Sequence, residues 1–181
     1  MTATLALAVS IIALILIIGL IVMFHDQVNA VRQIKKHCSD PEVQAVSTGG
    51  VIPKRAHRED AGLDLRTTTD IRLVPGERAL INTGISVGIP AGYVGLVAPR
   101  SGLAHKHGIT IMNSPGVVDA GYHGDLFVNV VNHGSSAVTL RAGDRIAQLL
   151  IVPAVLGLLR VVDDLGESDR GMRGHGSTGV K

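Results

Sequence analysis

The residues with the clearest capacity for chemistry lie in one glycine-rich bend, Gly116 to Gly124, with the sequence GVVDAGYHG. The bend holds a carboxylate, Asp119, which could take a proton, and an amphipathic ring, Tyr122, which could pack against a ligand. Its glycines let the backbone turn tightly and come close to a bound molecule. The stretch therefore suits a pocket for a flat polar molecule such as a nucleobase. A plain glycine-rich hairpin with a turn-forming aspartate is the alternative.

Two runs with strand character flank this bend, Gly108 to Asn113 and Asp125 to Asn132, so we expect it to close a β-hairpin. From Val43 onward, short β-branched runs alternate with turns rich in Gly and Pro. Further predicted strands are Ile71 to Leu73, Ala79 to Val87, Gly95 to Ala98, Leu126 to Val131 and Arg145 to Val152. Short strands at this spacing predict an all-β sandwich or barrel with little helix.

Four more segments combine glycines with polar or charged groups. They are AGLDL at Ala61 to Leu65, PRSGLA at Pro99 to Ala104, RIAQLL at Arg145 to Leu150, and RGMRGHGSTG at Arg170 to Gly179. Together with the bend, and in this order, they resemble the five motifs of the trimeric dUTP diphosphatases (dUTPases). The resemblance covers Val43 to the C-terminus. It implies a jelly-roll-like β domain that assembles as a homotrimer, whose active sites draw motifs from more than one subunit.

The resemblance also implies a reaction, the hydrolysis of dUTP to dUMP and pyrophosphate by in-line attack of water on the α-phosphorus. It assigns the base that activates this water to Asp119. Mg²⁺ would lie on the triphosphate, held mainly by phosphate oxygens and water, so no protein metal ligand is expected. The implied substrate-binding residues are Arg100, Ser101, Gly102, Asn113, Val117, Val118, Tyr122, Phe127, Gln148, Arg170, His175, Gly176, Ser177 and Thr178. Asp64 is a supporting residue that would hold a basic side chain or a metal-bound water near the phosphates.

These residues divide between the ends of a nucleotide. Arg100, with its neighbours Ser101 and Gly102, is the predicted phosphate grip, because a guanidinium fork and a hydroxyl match phosphate oxygens. By the resemblance, the uracil edge is read by Asn113 and by the main chain near Val117, Val118 and Phe127, and Tyr122 packs against the deoxyribose. A fixed pattern of backbone donors and acceptors would accept uracil and leave groups unpaired with cytosine.

The last predicted strand and the segment after the phosphate grip hold further polar residues. Strict alternation places Arg145 and Ala147 on one face of the strand, and Ile146 and Gln148 on the other. Gln148 matches a family position close to the phosphates, and Arg145 is assigned to the core or the trimer contact. Leu103 to Gly108 is expected to be a short internal helix. Its two histidines, His105 and His107, are interpreted as surface residues because no third metal ligand is evident.

The C-terminal part, residues 163–181, is rich in Gly and charge and is predicted to be a mobile arm without ligand. By the resemblance it would cover the nucleotide of a neighbouring site. Arg170 would contact the γ-phosphate, and Gly176, Ser177 and Thr178 would surround the polyphosphate. The family usually has Phe, stacked on uracil, where this chain has His175, whose stacking is weaker and whose charge depends on pH.

The N-terminal stretch Leu5 to Phe24 carries no charge, and its length matches a bilayer core of roughly 30 Å. We therefore expect residues 1–24 to be a transmembrane anchor, residues 25–42 a juxtamembrane helix and linker, and residues 43–162 the β domain. A signal peptide cleaved after Ala30 is the alternative. The basic Arg32, Lys35 and Lys36 place the β domain on the cytoplasmic side of a single-pass membrane protein, with the lipid bilayer as a partner.

Composition limits the remaining functional classes. Aromatic residues make up 2% of the chain and Trp is absent, so base-stacking platforms for nucleic acid are not expected. The single cysteine, Cys38, excludes an internal disulfide and is interpreted as an idle thiol, with acylation as the alternative. A dCTP deaminase would need a glutamate on the strand after the bend, and Asp125 to Asn132 has none. A membrane-anchored, nucleotide-gated regulatory protein on the same fold is the alternative from another class.

Overall fold

The computed structural model describes residues 17–29 and 40–174. Residues 17–29 are helical. The second described range contains the strands β1 (Gln44–Ser47), β2 (Leu63–Arg66), β3 (Ile71–Leu73), β4 (Arg78–Gly88), β5 (Tyr93–Ala98), β6 (Ile109–Ile111), β7 (Gly116–Val118), β8 (Asp125–Asn132), β9 (Val138–Leu140) and β10 (Arg145–Pro153). The short helix Ser101–His107 lies between β5 and β6. The short helix expected over Leu103 to Gly108 is thus present, but it begins two residues earlier, within the predicted phosphate grip, and His105 and His107 are exposed on it.

The strands form two four-stranded antiparallel sheets. The first has the order β1-β4-β8-β6 and the second the order β2-β10-β5-β7, while β3 and β9 form a separate two-stranded ladder. Apolar side chains from both sheets meet in one buried core, which includes Leu65, Ile85, Leu126 and Leu149. Alternation produces this arrangement, since every second residue of a strand points to the same face. The mostly β domain predicted from the sequence is confirmed.

The glycine-rich bend is not the turn of a β-hairpin, which corrects the prediction. β7 before it pairs with β5, where Val118 lies opposite Gly95, and so belongs to the second sheet. β8 after it pairs with β4 and β6 in the first sheet. Residues 119–124 therefore carry the chain from one sheet to the other. Local sequence predicts two strands and a turn, but it does not say which neighbour each strand takes.

The predicted membrane anchor is contradicted by the described part of the chain. Within residues 17–29 and 40–174, no helix has both the length and the apolar content needed to cross a bilayer. The single-pass membrane location, the cytoplasmic orientation and the bilayer as partner are corrected with it. The first part of Leu5 to Phe24 lies outside the described residues, as do Arg32, Lys35, Lys36 and Cys38.

The chain leaves the sheets at Pro153, where β10 ends. From residue 154 to residue 174 it has no strand or helix. The extended segment thus starts before Asp163, where the sequence pattern places the arm. Several of its large apolar side chains are between 84% and 102% exposed, namely Val155, Leu156, Leu158, Leu159, Val161 and Leu165.

Candidate active site

An open pocket of about 380 Å³ lies at one end of the second sheet and collects the predicted phosphate-binding residues. Strand pairing brings them together, because Gln148 of β10 lies opposite Asp64 of β2 on one side and Ala98 of β5 on the other. Arg100 and the start of the short helix follow directly after β5. The lining includes Asp64, Arg100, Ser101, Gly102, Arg145 and Gln148.

Asp64 holds two arginines in this pocket. Its Oδ1 is 3.2 Å from Nε of Arg100, and its Oδ2 is 3.1 Å from a terminal nitrogen of Arg145. The carboxylate is largely enclosed, with 15% of its side chain exposed, whereas 27% and 40% of the two arginine side chains are exposed. One negative charge therefore fixes two positive ones and leaves guanidinium N–H groups available. This geometry suits oxygens of a polyphosphate.

The structure places Arg145 in this pocket and not in the core, which corrects that part of its assignment. The pairing of β10 with β2 shifts register between Arg145 and Ala147, which is the mark of a β-bulge. A bulge inserts one residue and moves the side chains on one side of it to the opposite face. Ile146 and Ala147 are both buried, while Arg145 joins Gln148 in the pocket. Strict alternation gave the wrong face, and the sequence has no signal that separates this bulge from a regular strand.

Two glycines and a serine complete the wall around these charges. Nε2 of Gln148 donates to the carbonyl of Pro99 at 3.0 Å, which ties β10 to the approach of Arg100. A Cβ on Gly62 would lie 2.3 Å from Oε1 of Gln148, so only glycine lets this side chain lie flat against β2. Ser101 and Gly102 are exposed, and a Cβ on Gly102 would meet no protein atom within 4 Å. The space beside Gly102 is therefore open to a ligand.

A second, smaller pocket of about 220 Å³ lies between β7 and β8. Its lining is Val117, Val118, Asp119, Tyr122, Asp125, Leu126 and Phe127. Pockets for drug-sized ligands measure roughly 300–1,000 Å³, so this one suits a single ring with part of a sugar. The side chain of Val118 is buried in the core, whereas Val117 and Phe127 are 63% and 47% exposed. The predicted base-reading residues thus lie together.

Backbone groups along this pocket have no strand partner among the described residues. β7 is the edge strand of its sheet and pairs only with β5. β6 pairs with β8 at residues 130–132. The Asn129 carbonyl accepts from the Met112 amide and the Asp125 carbonyl from the Tyr122 hydroxyl, so residues 126–128 are the part of β8 without a neighbouring strand on that side. Such edges present free N–H and C=O groups. The departure from a hairpin therefore creates the donors and acceptors that recognition of a base requires.

Tyr122 and Asp119 share one tight turn in the bend. The Tyr122 amide donates to the Asp119 carbonyl at 3.0 Å, and the Tyr122 hydroxyl donates to the Asp125 carbonyl at 2.8 Å. A Cβ on Gly124 would lie 2.7 Å from the tyrosine oxygen, so glycine is needed where the ring crosses the chain. The Asp119 side chain is exposed at the pocket. Asn113 is exposed and lies near Gly116, at the other end of β7. A Cβ added to Gly116 would lie 3.3 Å from the side-chain amide nitrogen of Asn113.

The two pockets are separated within one chain. β2 and β7 are the opposite edge strands of the second sheet. Asp64 and Ala98 both lie opposite Gln148, so they are at the same height across the sheet. Asp119 follows Val118, which lies opposite Gly95, three residues before Ala98 on β5. Strand spacing and rise then put Asp64 and Asp119 roughly 20 Å apart. The structure brings the phosphate residues together and the base residues together, but does not bring the two groups to one place.

Other predicted residues lie in the C-terminal arm or beyond it. Arg170 is exposed, and its Nε donates to the carbonyl of Arg173 at 2.9 Å. His175, Gly176, Ser177 and Thr178 lie outside the described residues. In residues 17–29 and 40–174, no group of three or more His, Cys, Asp or Glu side chains is placed to hold a metal ion.

The known proteins that this chain resembles belong to one family. The profile of the dUTPase family matches residues 49–179. The deoxyuridine 5'-triphosphate nucleotidohydrolase of Nocardia farcinica is 50% identical over 138 residues, which cover 76% of this chain and 84% of that protein. The protein of the same name from Cutibacterium acnes is 48% identical over 143 residues, covering 78% and 94%.

Solved structures agree with this. The dUTPase of Staphylococcus bacteriophage 80alpha with dUPNHPP superposes with a TM-score of 0.72 at 33% identity, covering 78% of this chain and 100% of that one. A mutant dUTPase from phage phi11 of S. aureus, whose structure reveals a structural Mg(II) ion, gives 0.63 at 31% identity, covering 69% and 99%. With more than half of its length matched by the family profile, this chain belongs to the dUTPase family.

Proposed function

We propose that this protein hydrolyses dUTP to dUMP and pyrophosphate. The observation that carries the proposal is the pocket between β7 and β8, where the edge strand β7, the part of β8 that β6 does not reach and an exposed carboxylate, Asp119, lie together. Relatives at about half sequence identity are named deoxyuridine 5'-triphosphate nucleotidohydrolases, in agreement with this reaction.

The base would be selected by the two strand edges. Uracil offers a fixed pattern of one N–H between two carbonyls, which backbone groups near Val117 and Phe127 can match. Cytosine would leave buried groups unpaired, which costs about 1–3 kcal/mol for each group. The ring of Tyr122, held by its hydroxyl against the chain, supplies a flat wall for the deoxyribose. Asn113 would assist at the far end of β7.

Asp119 would act as the general base. Its carboxylate is exposed and lines the base pocket, and the sugar and α-phosphate of a bound nucleotide would pass beside it. Held there by the Tyr122 turn, it can align a water with the α-phosphorus and take its proton. Arg100 and Arg145 would receive the negative charge of the β- and γ-phosphates, together with the hydroxyl of Ser101 and the amide of Gly102.

The family implies Mg²⁺, and the charges of the site agree with an ion carried by the substrate. Both oxygens of Asp64 contact guanidinium groups, so this carboxylate is not open for direct coordination. Octahedral Mg²⁺ keeps several waters and accepts phosphate oxygens as ligands. When bound, the ion offsets charge on the triphosphate. The protein side chains would hold the nucleotide and the attacking water.

The site is proposed to be shared between copies of the chain in a homotrimer. The separation of roughly 20 Å between Asp64 and Asp119 supports this, because both must act on one triphosphate. The extended segment 154–165 supports it too. Apolar side chains such as Leu158 and Leu159 are almost fully exposed in a single chain and would be covered by another copy.

The C-terminal arm would cover the bound nucleotide, with Arg170 on the γ-phosphate, His175 on the base and Gly176 to Thr178 around the phosphates. We expect removal of Arg170 to Lys181 to lower kcat/KM for dUTP at least about tenfold, the effect of losing one hydrogen bond between charged groups. The oligomeric state by light scattering should not change. A chain shortened only by Val180 and Lys181, beyond the motif, is the control. Equal kcat/KM for both shortened chains would contradict a covering role.

The reaction itself is tested by pyrophosphate release from dUTP, dCTP, dTTP and UTP. We expect release from dUTP at least about a hundredfold faster than from each of the others, because unpaired polar groups, the thymine methyl and a 2′-hydroxyl are each rejected. Ammonia release from dCTP would instead indicate a deaminase. Comparable pyrophosphate release from all four would contradict selection by the strand edges.

A further inference from the structure

Asp125, the first residue of β8, has a role that the reaction above does not assign. Its carboxylate accepts three hydrogen bonds, from Thr48 Oγ1 at 2.8 Å, Asn82 Nδ2 at 2.9 Å and Ser86 Oγ at 3.0 Å. These donors, the Asn82 amide first, hold the pKa of the Asp125 carboxyl below its ordinary value of 3.8. The side chain is therefore charged at neutral pH. A carboxylate that accepts three hydrogen bonds from distant parts of the chain holds the start of β8 in place.

Asp125 lies where the pairing of β4 with β8 is interrupted. The ladder between β4 and β8 shifts register between Asn82 and Ser86, so regular backbone pairing is lost next to Asp125. In the interrupted stretch, Gly84 adopts a left-handed conformation with φ 64°. Its amide donates to Oδ1 of Asn82 at 2.6 Å, and its carbonyl accepts from the amide of Thr48 at 2.8 Å. Side-chain hydrogen bonds to Asp125 thus replace the missing ladder at the start of β8.

The backbone of Asp125 also holds the turn that contains Asp119 and Tyr122. The backbone carbonyl of Asp125 accepts the Tyr122 hydroxyl, and the Tyr122 amide donates to the Asp119 carbonyl. A continuous series of hydrogen bonds therefore runs from β4 through Asp125 and Tyr122 to Asp119. A displacement of about 1 Å at a reacting group can lower a rate about a hundredfold. The position of Asp125, which also lines the base pocket, then matters to the chemistry through Asp119.

We propose that Asp125 is a positioning residue, whose carboxylate, bound by Asn82, Ser86 and Thr48, fixes the start of β8 and through Tyr122 holds Asp119 in place. The inference rests on the proposed role of Asp119. In the hydrogen bond between these two side chains, Asn82 is the donor and Asp125 the acceptor. Gly84 donates to the amide oxygen of Asn82 and so turns its NH₂ toward Asp125.

This direction gives a specific test. Asp125→Asn removes the charge, and its amide oxygen can still accept from Asn82 only if its NH₂ turns to the hydroxyls of Ser86 and Thr48, which must then accept. Asn82 itself cannot rotate without losing its bond to Gly84. In Asn82→Asp two carboxylates would face each other. Combining the two substitutions restores one donor and one acceptor in reversed order. The carboxylate at position 82 would accept from Gly84 and from Asn at position 125, while the oxygen of that Asn would still accept from Ser86 and Thr48.

The experiment measures kcat and KM for dUTP in the full-length chain, well below the unfolding midpoint of each variant. We expect Asn82→Asp, which sets two carboxylates against each other, to lower kcat at least about tenfold, and Asp125→Asn, which loses the charge alone, to lower it about threefold or more. The double variant should regain kcat within about threefold of wild type. Glu77→Gln is the matched control and should keep wild-type kcat, because Glu77 precedes β4 and its carbonyl accepts from Asn132, at the far end of β8 from Asp125. If Asp125→Asn does not fold, Ser86→Ala, which removes one of the three donors, should lower kcat about threefold or more.

The outcomes separate this inference from the proposed reaction. Wild-type kcat in Asp125→Asn, or no recovery in the folded double variant, would overturn the positioning role. If both single variants and Asp119→Asn turn over dUTP at the wild-type rate, the assignment of the base fails instead. If Asp119→Asn is inactive while Asp125→Asn is not impaired, only the positioning role fails. Lower unfolding midpoints with unchanged kcat would show that Asp125 serves stability alone.

Discussion

Asp119→Asn should lower kcat for dUTP about 10²- to 10⁴-fold while leaving binding of a non-hydrolysable analogue nearly unchanged. The amide keeps the size of the side chain but cannot accept the proton of the attacking water, and loss of one placed base typically costs this much. Binding should persist because the base pocket is formed by strand edges and by Tyr122. Steady-state kinetics and calorimetric titration with the analogue give the two quantities.

Glu77→Gln is the control, since its acceptor oxygen for the Val74 amide is retained far from the pocket. A kcat in Asp119→Asn within about threefold of wild type is incompatible with general base catalysis by this residue. Loss of analogue binding in parallel with kcat would show instead that Asp119 serves mainly to bind the substrate.

The double variant Arg100→Gln with Arg145→Gln should lower kcat/KM about 10²- to 10⁴-fold, because each hydrogen bond between charged groups contributes about 1.5–3 kcal/mol. Glutamine keeps a donor for Asp64 and removes the charge, so the wall of the pocket should persist. Binding of the triphosphate analogue should weaken strongly, whereas that of deoxyuridine should not change. Arg72→Gln, an exposed arginine on β3, is the matched control. Wild-type affinity for the triphosphate analogue would refute the assignment of this pocket.

Magnitudes favour a functional reading of these ion pairs. The arginine side chains are 27% and 40% exposed, so solvent screens their attraction to Asp64. Pairs at such positions typically contribute about 0–1 kcal/mol to stability. A structural role alone would hardly explain two arginines on one carboxylate. Holding two guanidiniums ready for an anionic ligand lowers the ordering cost of binding, which accounts for the arrangement better.

The sequence predicts the strands well because burial on one face sets a period of two that is visible in the residues. Asp125 to Asn132 agrees with β8 at both ends. It does not predict which sheet each strand joins, and so the bend after β7 was expected to be a hairpin. It also misses the bulge that turns Arg145 into the pocket, because a single inserted residue leaves no mark on composition.

The roles of Asp64 and Asp125 illustrate the same limit. Asp64 was expected near the phosphates through the resemblance alone, and only strand pairing brings it between two arginines. Asp125 looks like an ordinary first residue of a strand. Its three donors come from residues 39 to 77 positions earlier in the chain, and no local pattern indicates contacts over such a separation.

The sharing of one active site between copies is tested most directly by mixing two inactive chains. Asp119→Asn lacks the base and keeps the phosphate pocket, while the double arginine variant lacks the pocket and keeps the base. Differently tagged chains are unfolded, mixed, refolded and purified through both tags, so that every assembly contains both variants. In a cyclic trimer, each hybrid then pairs one intact pocket with one intact base at about one of its three sites.

We expect the purified hybrids to recover about a third of wild-type kcat per trimer, although both parents are nearly inactive. Hybrids of wild type with a chain carrying all three substitutions control for the refolding. If the mixed hybrids remain as inactive as their parents while this control is active, Asp119 and the two arginines act within one chain, and the shared site is contradicted.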